Sequence, residues 1–381
     1  MLYALALYLE EQFDFPGAGL FQFITFRAGL AIIISLIISM IFGGSIIRML
    51  RRLQVGEKVR DLGLEGQKEK EGTPTMGGII IILAIVVPCV LLARLDNVYI
   101  QLMLLATLWM GLIGFVDDYI KTFRKNKDGL SGKFKVLGQV GLGLIVGLTM
   151  LFNDGVVVRM DADEARSKGY EIVETLQVRT RTGDMKEVAN VRATLTDVPF
   201  VKESQINYAA AFAWLGGSAW LWGAAFFVLF VIFIITAVSN AANLTDGIDG
   251  LATGVSGIVG VTLGVFAYVS GNAIASDYLN ILYLPGTGEL VVFAACFLGA
   301  CIGFLWYNAY PAQVFMGDTG SLMLGGIIGA MAIVLRKELL LPLLCGIFVA
   351  ENLSVIIQVW YFKYTRRKYG EGRRVFLMAP L

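Results

Sequence analysis

An all-α, polytopic membrane protein is the fold class that this sequence predicts, and three observations predict it. Of its 381 residues, 57% are hydrophobic and only 16% charged, against about 25% charged in a soluble domain. Mean hydropathy is +0.71. The apolar residues also gather in long uninterrupted blocks, and ~20 such residues let a helix cross ~30 Å of hydrocarbon.

Nine blocks approach or reach that length, at roughly 28–47, 76–93, 98–116, 136–152, 218–239, 252–270, 289–307, 319–335 and 339–362. The first follows Glu10, Glu11 and Asp14 instead of a basic stretch, so no cleaved signal peptide is expected. With the connecting segments placed alternately on two sides, the segments 48–75, 117–135, 240–251, 308–318 and 363–381 carry 7, 6, 0, 0 and 6 Lys and Arg. The opposite short segments carry Arg94, Arg336 and Lys337. The positive-inside rule makes the first set cytoplasmic, the N-terminus external and, with nine spans, the C-terminus cytoplasmic.

The stretch 153–207, between spans four and five, mixes β-branched and charged residues and has a Thr-Gly-Asp turn signal at 182–184. It reads as a small external β-rich insertion, best taken as a spacer, in an otherwise single domain over 1–381. Its length exempts its basic residues from the orientation rule. The four cysteines, Cys89, Cys296, Cys301 and Cys345, lie within apolar blocks and are expected as small buried residues. The chain has no histidine, which excludes histidine metal sites and general bases here, and its net charge of +1 gives no reason to expect nucleic acid as a partner.

Every unusual polar cluster falls on the side assigned as cytoplasmic. KEGTPTMGG (70–78) opens the second span and GFVDDYIK (114–121) closes the third. NLTDGIDGLATG (243–254) opens the sixth, and NAYPAQVFMGDTGS (308–321) joins the seventh to the eighth. These hold five aspartates, Asp117, Asp118, Asp246, Asp249 and Asp318. Any one alone is explained as a solvated helix end or a cap. Five on one face repel one another unless a divalent cation or a basic group compensates them, and hard cations such as Mg²⁺ take carboxylate and phosphate oxygens.

Asn243, Asp246 and Asp249 recur every three residues and are expected to project toward one side, with Gly247 and Gly250 leaving room for a ligand. Adjacent helical residues diverge by about 100°, so Asp117 and Asp118 are expected to do two different jobs and not to grip one ion together. Lys70, Lys121, Arg124, Lys125, Lys133 and Lys135 neighbour these carboxylates. Anchoring against anionic headgroups accounts for most basic residues on that side. Carboxylates, lysines and glycine-rich turns together suit a metal-assisted reaction on phosphates. No GxxxxGK[ST] loop occurs, which excludes a P-loop NTPase.

GTPTMGG, DDYIK, NLTDGIDGL, FMGDTGS and RRVFLMAPL, in this order, resemble the polyprenyl-phosphate N-acetylhexosamine-1-phosphate transferase superfamily. The likeness spans nearly the whole chain outside about 155–205, and GTPTMGG and the MAPL ending point to its phospho-N-acetylmuramoyl-pentapeptide branch. The resemblance implies an Mg²⁺-dependent phosphotransferase of peptidoglycan synthesis in the bacterial cytoplasmic (inner) membrane. It would move phospho-N-acetylmuramoyl-pentapeptide from its UDP-linked precursor to undecaprenyl phosphate, releasing UMP. By the same resemblance Asp318 ligates the metal, and Asp117 and Asp118 serve catalysis with it, Asp117 at the lipid phosphate and Asp118 shaping the metal–diphosphate site. Asp249, Asn308, Phe315 and Lys70 meet the uridine part, with Gly247 and Leu244 nearby, and Asn243, Asp246, Thr75, Lys121 and Lys133 line the cleft. A homodimer among membrane lipids is implied as well.

The family continues past MAP-hydrophobic into a run of histidines and a tenth span, so a C-terminally truncated sequence is expected here. Two alternatives stand beside this reading. One is a sister enzyme moving N-acetylglucosamine-1-phosphate to the same lipid. The other is a transporter, which calls for charges along a path at membrane depth; within the nine blocks Arg27 and Glu351 are the main candidates, each near a block's end or kink.

Overall fold

Each predicted apolar block is helical over most of its length in the computed structural model, which describes residues 1–53, 72–124, 126, 128–179, 185–199 and 205–380. The helices are α1 (Leu2–Phe13), α2 (Ile24–Arg52), α3 (Gly78–Leu92), α4 (Val98–Phe123), α5 (Gly132–Phe152), α6 (Ala162–Ser167) and α7 (Ala219–Thr245). They continue as α8 (Leu251–Ser270), α9 (Ala273–Leu279), α10 (Leu290–Asn308), α11 (Gly317–Val334), α12 (Leu341–Leu344) and α13 (Gly346–Tyr369). Five strands, β1 (Val158–Asp161), β2 (Glu171–Arg179), β3 (Met185–Arg192), β4 (Leu195–Asp197) and β5 (Gln205–Asn207), fall between α5 and α7.

Among the described residues seven helices are long and apolar enough to cross a membrane: α2, α4, α5, α7, α8, α10 and α11. The expectation of nine like spans gives way at two places. The block at 76–93 forms α3, whose 15 residues rise only ~22 Å at 1.5 Å each, short of the hydrocarbon core. The block at 339–362 is bent by 72° where α12 meets α13, because the turn of helix around Pro342 stops at Cys345 before the long helix begins.

Lipid tails are as apolar as leucine, so packing between spans depends on close approach. The buried stripe Ala31, Ser35, Ser39 and Gly43 on α2 meets Gly299 and Gly303 of α10, where an added Cβ would lie 2.6 Å from the Ile32 carbonyl oxygen and 2.4 Å from the Ser39 Cβ. Ser35 Oγ donates to the Cys296 carbonyl at 2.7 Å. All four cysteines are buried thiols. Large apolar side chains such as Ile33, Ile41, Leu229, Phe233 and Ile258 face outward, which a lipid environment satisfies.

At one end of the bundle Arg27 makes a two-pronged ion pair with Glu289, Nη1–Oε2 2.7 Å and Nη2–Oε1 2.6 Å. The same guanidinium donates to the Leu92 carbonyl at 3.2 Å, and the Arg94 amide donates to Glu289 at 3.2 Å. One ion pair thereby ties α2 and α10 to the α3–α4 turn. Asn97 follows in that turn, capping α4 through the Tyr99 and Ile100 amides.

The insertion is β-rich, as expected: β1-β3-β2 form an antiparallel sheet and β4-β5 a second, smaller one. The turn predicted at 182–184 lies outside the described residues. The insertion is keyed into the same end of the bundle as Arg27. Tyr208 donates to Glu338 at 2.8 Å, Thr196 Oγ1 donates to the Arg336 carbonyl at 3.1 Å, and Lys337 pairs with Asp197. Arg336, Lys337 and Glu338 are each 2% exposed. The Lys337–Asp197 pair holds its position because leaving a buried charge unpaired is costly.

The Arg27 clasp makes a prediction. Glu289→Ala strands a buried guanidinium and should destabilise the protein by roughly 3–5 kcal/mol, read as a lowered thermal midpoint in detergent. The double variant Arg27→Met/Glu289→Met should recover most of the loss.

Candidate active site

Chain direction alone brings the polar motifs together at the opposite end of the bundle from the Arg27 clasp. There α4, α7 and α10 finish, and α3, α5, α8 and α11 begin. The closest approach is at Gly114, where an added Cβ would stand 2.1 Å from the Asp318 carbonyl oxygen and 2.6 Å from the Thr319 Cα. Gly78 meets Gly320 as tightly, 2.2 Å from its amide nitrogen. The turn at 72–78 then stitches onto the strand-like run before α11: Phe315 N donates to the Pro74 carbonyl, Gly77 N to that of Phe315 and Gly78 N to that of Met316, at 2.8–2.9 Å. The left-handed φ of +72° at Gly317 turns the chain into α11.

This backbone contact seats Asp318 beside Asp117 and Asp118, with one carboxylate oxygen of each within 4.8 Å of the others. The adjacent pair on α4 thus converges on one locus, closer than its divergence around the helix predicts, because α11 begins between the two side chains. Their partners nevertheless differ. Both oxygens of Asp118 accept hydrogen bonds from the first turn of α11: Asp318 N at 3.1 Å, Thr319 N at 2.9 Å and Thr319 Oγ1 at 2.6 Å. Asp118 caps α11 from a neighbouring helix.

Asp117 is fully buried. Its Oδ1 accepts the Leu130 amide at 2.7 Å. Its Oδ2 lies 2.6 Å from Lys121 Nζ and 3.0 Å from Lys135 Nζ. The same two ammonium groups approach Asp318 Oδ2 at 3.3 and 2.5 Å. Two anions and two cations therefore alternate in one partly buried cluster. Its carboxylates are the hard oxygen donors that a divalent cation takes. Asp117 and Asp318 each offer oxygens met by the lysine ammonium groups, whereas Asp118's two oxygens are occupied by α11.

The sequence-expected residues arrange around this centre in distinct ways. Thr75 belongs to it: an added Cβ at Gly317 would meet both Asp118 Oδ2, at 2.5 Å, and Thr75 Oγ1, at 2.9 Å. Asn243 reaches α11, donating to Ser321 Oγ at 2.9 Å. Of Asn243, Asp246 and Asp249 only the first lies on α7, which ends at Thr245 with Asp246 as its cap, and the other two lie in the turn that Gly250, with φ +77°, leads into α8. Asp249 instead accepts the Ala312 amide at 3.2 Å. Asn308, 2% exposed, is used internally: Oδ1 accepts from Gly250 N and Thr253 Oγ1, and Nδ2 donates to the Val314 carbonyl at 2.9 Å. It braces the loop that carries the half-buried Phe315. Leu244 is half-buried and Gly247 exposed, the latter within reach of Pro380 near the chain's end. Lys70 and Lys125 lie outside the described residues.

Lys133 is exposed, and the lysine of the cluster is Lys135. The signal that separates them is helical phase. Lys135 continues the buried face of α5 formed by Gln139, Leu142, Gly143 and Val146, while Lys133 stands about 200° around the axis. Gly129 and Leu130 were also missed; Gly129, with φ +63° and only 2.6 Å between an added Cβ and Asp117 Oδ1, closes over that carboxylate without adding bulk.

The contact at Gly114 is testable without any assay of function. Gly114→Ala sets a methyl against backbone and should lower the thermal midpoint by several degrees, in the overpacking range of about 1–3 kcal/mol. Gly138→Ala, whose methyl meets the end of the Ile113 side chain, should cost less, because that chain end can rotate away.

A family model described as glycosyl transferase family 4 matches residues 188–336, and one described as phospho-N-acetylmuramoyl-pentapeptide-transferase signature 1 matches residues 70–82. Proteins named phospho-N-acetylmuramoyl-pentapeptide-transferase are similar along the whole chain. That of Flavobacterium psychrophilum is 57% identical, over all of this chain and 91% of its own length. That of Parabacteroides distasonis is 56% identical over 100% and 88%, and that of Amoebophilus asiaticus 54% over 100% and 91%. With its carboxylate–lysine cluster at the meeting of the four motifs and this identity along its full length, the chain belongs to the phospho-N-acetylmuramoyl-pentapeptide-transferase family.

Proposed function

We propose that this protein transfers phospho-N-acetylmuramoyl-pentapeptide from its UDP-linked precursor to undecaprenyl phosphate, releasing UMP, at the cytoplasmic end of the bundle in the bacterial inner membrane. The observation that carries it is the partly buried cluster of Asp117, Asp318, Lys121 and Lys135, where α4 ends and α5 and α11 begin. The match to the signature over 70–82 favours the muramoyl-pentapeptide substrate over N-acetylglucosamine-1-phosphate. Membership in a transferase family removes the transporter reading, and Arg27 is occupied by Glu289. A homodimer, an external N-terminus and an external insertion belong to the same proposal.

In the reaction an oxygen of the lipid phosphate forms a bond to the sugar-bearing phosphorus, and the bond from that phosphorus to UMP breaks. Asp117, aimed at this position by the Leu130 amide, takes the proton that the lipid phosphate carries. Lys121 and Lys135, paired with carboxylates beforehand, turn to the diphosphate oxygens as it enters and balance its charge. Asp318 with Asp117 would hold Mg²⁺, which supplies charge compensation on the diphosphate when bound. Asp118 acts by fixing the start of α11. Asp249, Phe315 and Lys70 serve the uridine part, with Asn308 bracing their loop, and Asp246, Gly247, Leu244, Asn243 and Thr75 line the cleft.

Purified protein should form the lipid product and UMP only with Mg²⁺ present, and chelation should stop it. Asp318→Ala should lose at least about a hundredfold in turnover; undiminished turnover in that variant would sink the assignment. UDP-N-acetylglucosamine offered instead should give no product. A second comparison separates the two lysines. Lys135→Met should lower kcat by ~10²-fold, while Lys133→Met, at an exposed position, should stay within about twofold.

A further inference from the structure

One turn deeper into the bundle than the cluster lies a second set of polar groups that the chemistry does not use. Gln139 and Ser239 are both fully buried. Gln139 Nε2 donates to Ser239 Oγ at 3.3 Å, and Ser239 Oγ donates to the Leu322 carbonyl at 3.0 Å. Asn240 Nδ2 in turn donates to Gln139 Oε1 at 3.0 Å, which fixes which way the amide faces. The set joins α5, α7 and α11.

Its registration to the active site is what matters. Gln139 is four residues past Lys135 on α5, and Leu322 is four residues past Asp318 on α11. At 3.6 residues per turn each lies on the same face as its partner, one turn in. We propose that Gln139 and Ser239 are positioning residues, which set the rotation of α5 about its own axis and so hold Lys135 against Asp117 and Asp318.

Toward α4, Trp109 Nε1 donates to the Gly138 carbonyl of α5 at 2.9 Å, a single bond from an exposed ring that fixes no side chain on the α7 and α11 side. The buried remainder of the α5 contact is made by Leu142, Gly143, Val146, Gly147 and Met150, and apolar packing has no direction. At Gly143 an added Cβ would sit 2.7 Å from the Ile232 Cα, so α5 and α7 touch along smooth backbone. Against such a surface a turn of 20–30° loses little contact area, yet carries the long Lys135 side chain off its carboxylates. Hydrogen bonds between buried side chains do have direction, and among membrane helices each contributes only modestly to stability. That is enough to choose one rotation and too little to decide whether the bundle folds. Asn240 orients the amide and Ser239 Oγ relays it to the α11 backbone, so the reference for Lys135 is the helix that carries Asp318.

This inference rests on the proposed transfer reaction, and wild-type turnover in the same assay keeps the two apart. An inactive wild type counts against the reaction, and only an active one tests the positioning role. In the full chain purified in detergent, Gln139→Leu is expected to lower kcat by ~10–100-fold, with the KM for the UDP-linked substrate within about twofold and a thermal midpoint within a few degrees. Ser239→Ala, which removes a single oxygen, should behave the same way and carries the test if Gln139→Leu does not fold. Gln139→Glu should restore turnover to within about threefold of wild type near pH 6, where a buried acid is protonated and can take the amide's place as donor and acceptor. Wild-type kcat in both Gln139→Leu and Ser239→Ala overturns the proposal. So does a loss that appears in KM, or one that Gln139→Glu does not relieve.

Discussion

Everything at the reactive end of this protein depends on two backbones touching. Gly114 of α4 leaves room for the carbonyl of Asp318 and the Cα of Thr319, and no residue with a Cβ could occupy it at that spacing. Once α11 starts there, Asp118 finds the free amides of its first turn and Asp318 finds two lysines. A helix N-terminus normally takes its cap from its own chain a residue or two earlier. Here the residue before α11 is a glycine-turned run, and the cap arrives from a different helix. The Asp118 carboxylate therefore does mechanical service beside Asp117, whose oxygens face the two lysines.

The second constraint is charge. Two carboxylates share a partly buried site, and their mutual repulsion in a medium of low polarity is offset by Lys121 and Lys135 lying between them. Neither lysine belongs to one acid alone. A shared arrangement of this kind yields easily to a different set of charges, since in the proposed reaction a diphosphate would offer phosphate oxygens in place of carboxylate oxygens around the same ammonium groups. The pairs thus hold the empty cleft together without committing its donors.

Much of this was legible in the residues. The apolar blocks located the spans, and the clustering of aspartates on one side located the reactive end, because burial and charge are properties of short stretches. What escaped depended on contacts between distant stretches. That Lys135 and not Lys133 faces the cluster follows from the phase of α5, which becomes visible only when its buried face is known. That Asn308 is a brace follows from Gly250, Thr253 and Val314 arriving around it. Asn243, Asp246 and Asp249 are evenly spaced in sequence, but α7 ends at Thr245, so only the first of them lies on the helix. The bend after Pro342 and the shortness of α3 were hidden in runs whose hydropathy alone reads as continuous. The insertion's β pattern was visible, and its fastening to Arg336–Glu338 was not, since those three ions look in sequence like an ordinary loop.

That fastening has a consequence for the lipid around the protein. α11 is 18 residues long, ~27 Å at 1.5 Å per residue, buried along nearly its whole length and pinned at both ends, by Asp118 below and by the β4–β5 contacts above. A helix so held cannot tilt to follow a thicker or thinner bilayer, which is how most spans absorb a mismatch. On the proposed reaction, a substrate carried in the bilayer would meet carboxylates whose height is set by the bundle and not by the lipid, so that acyl-chain length in the surrounding bilayer would enter the rate through the vertical offset between the two.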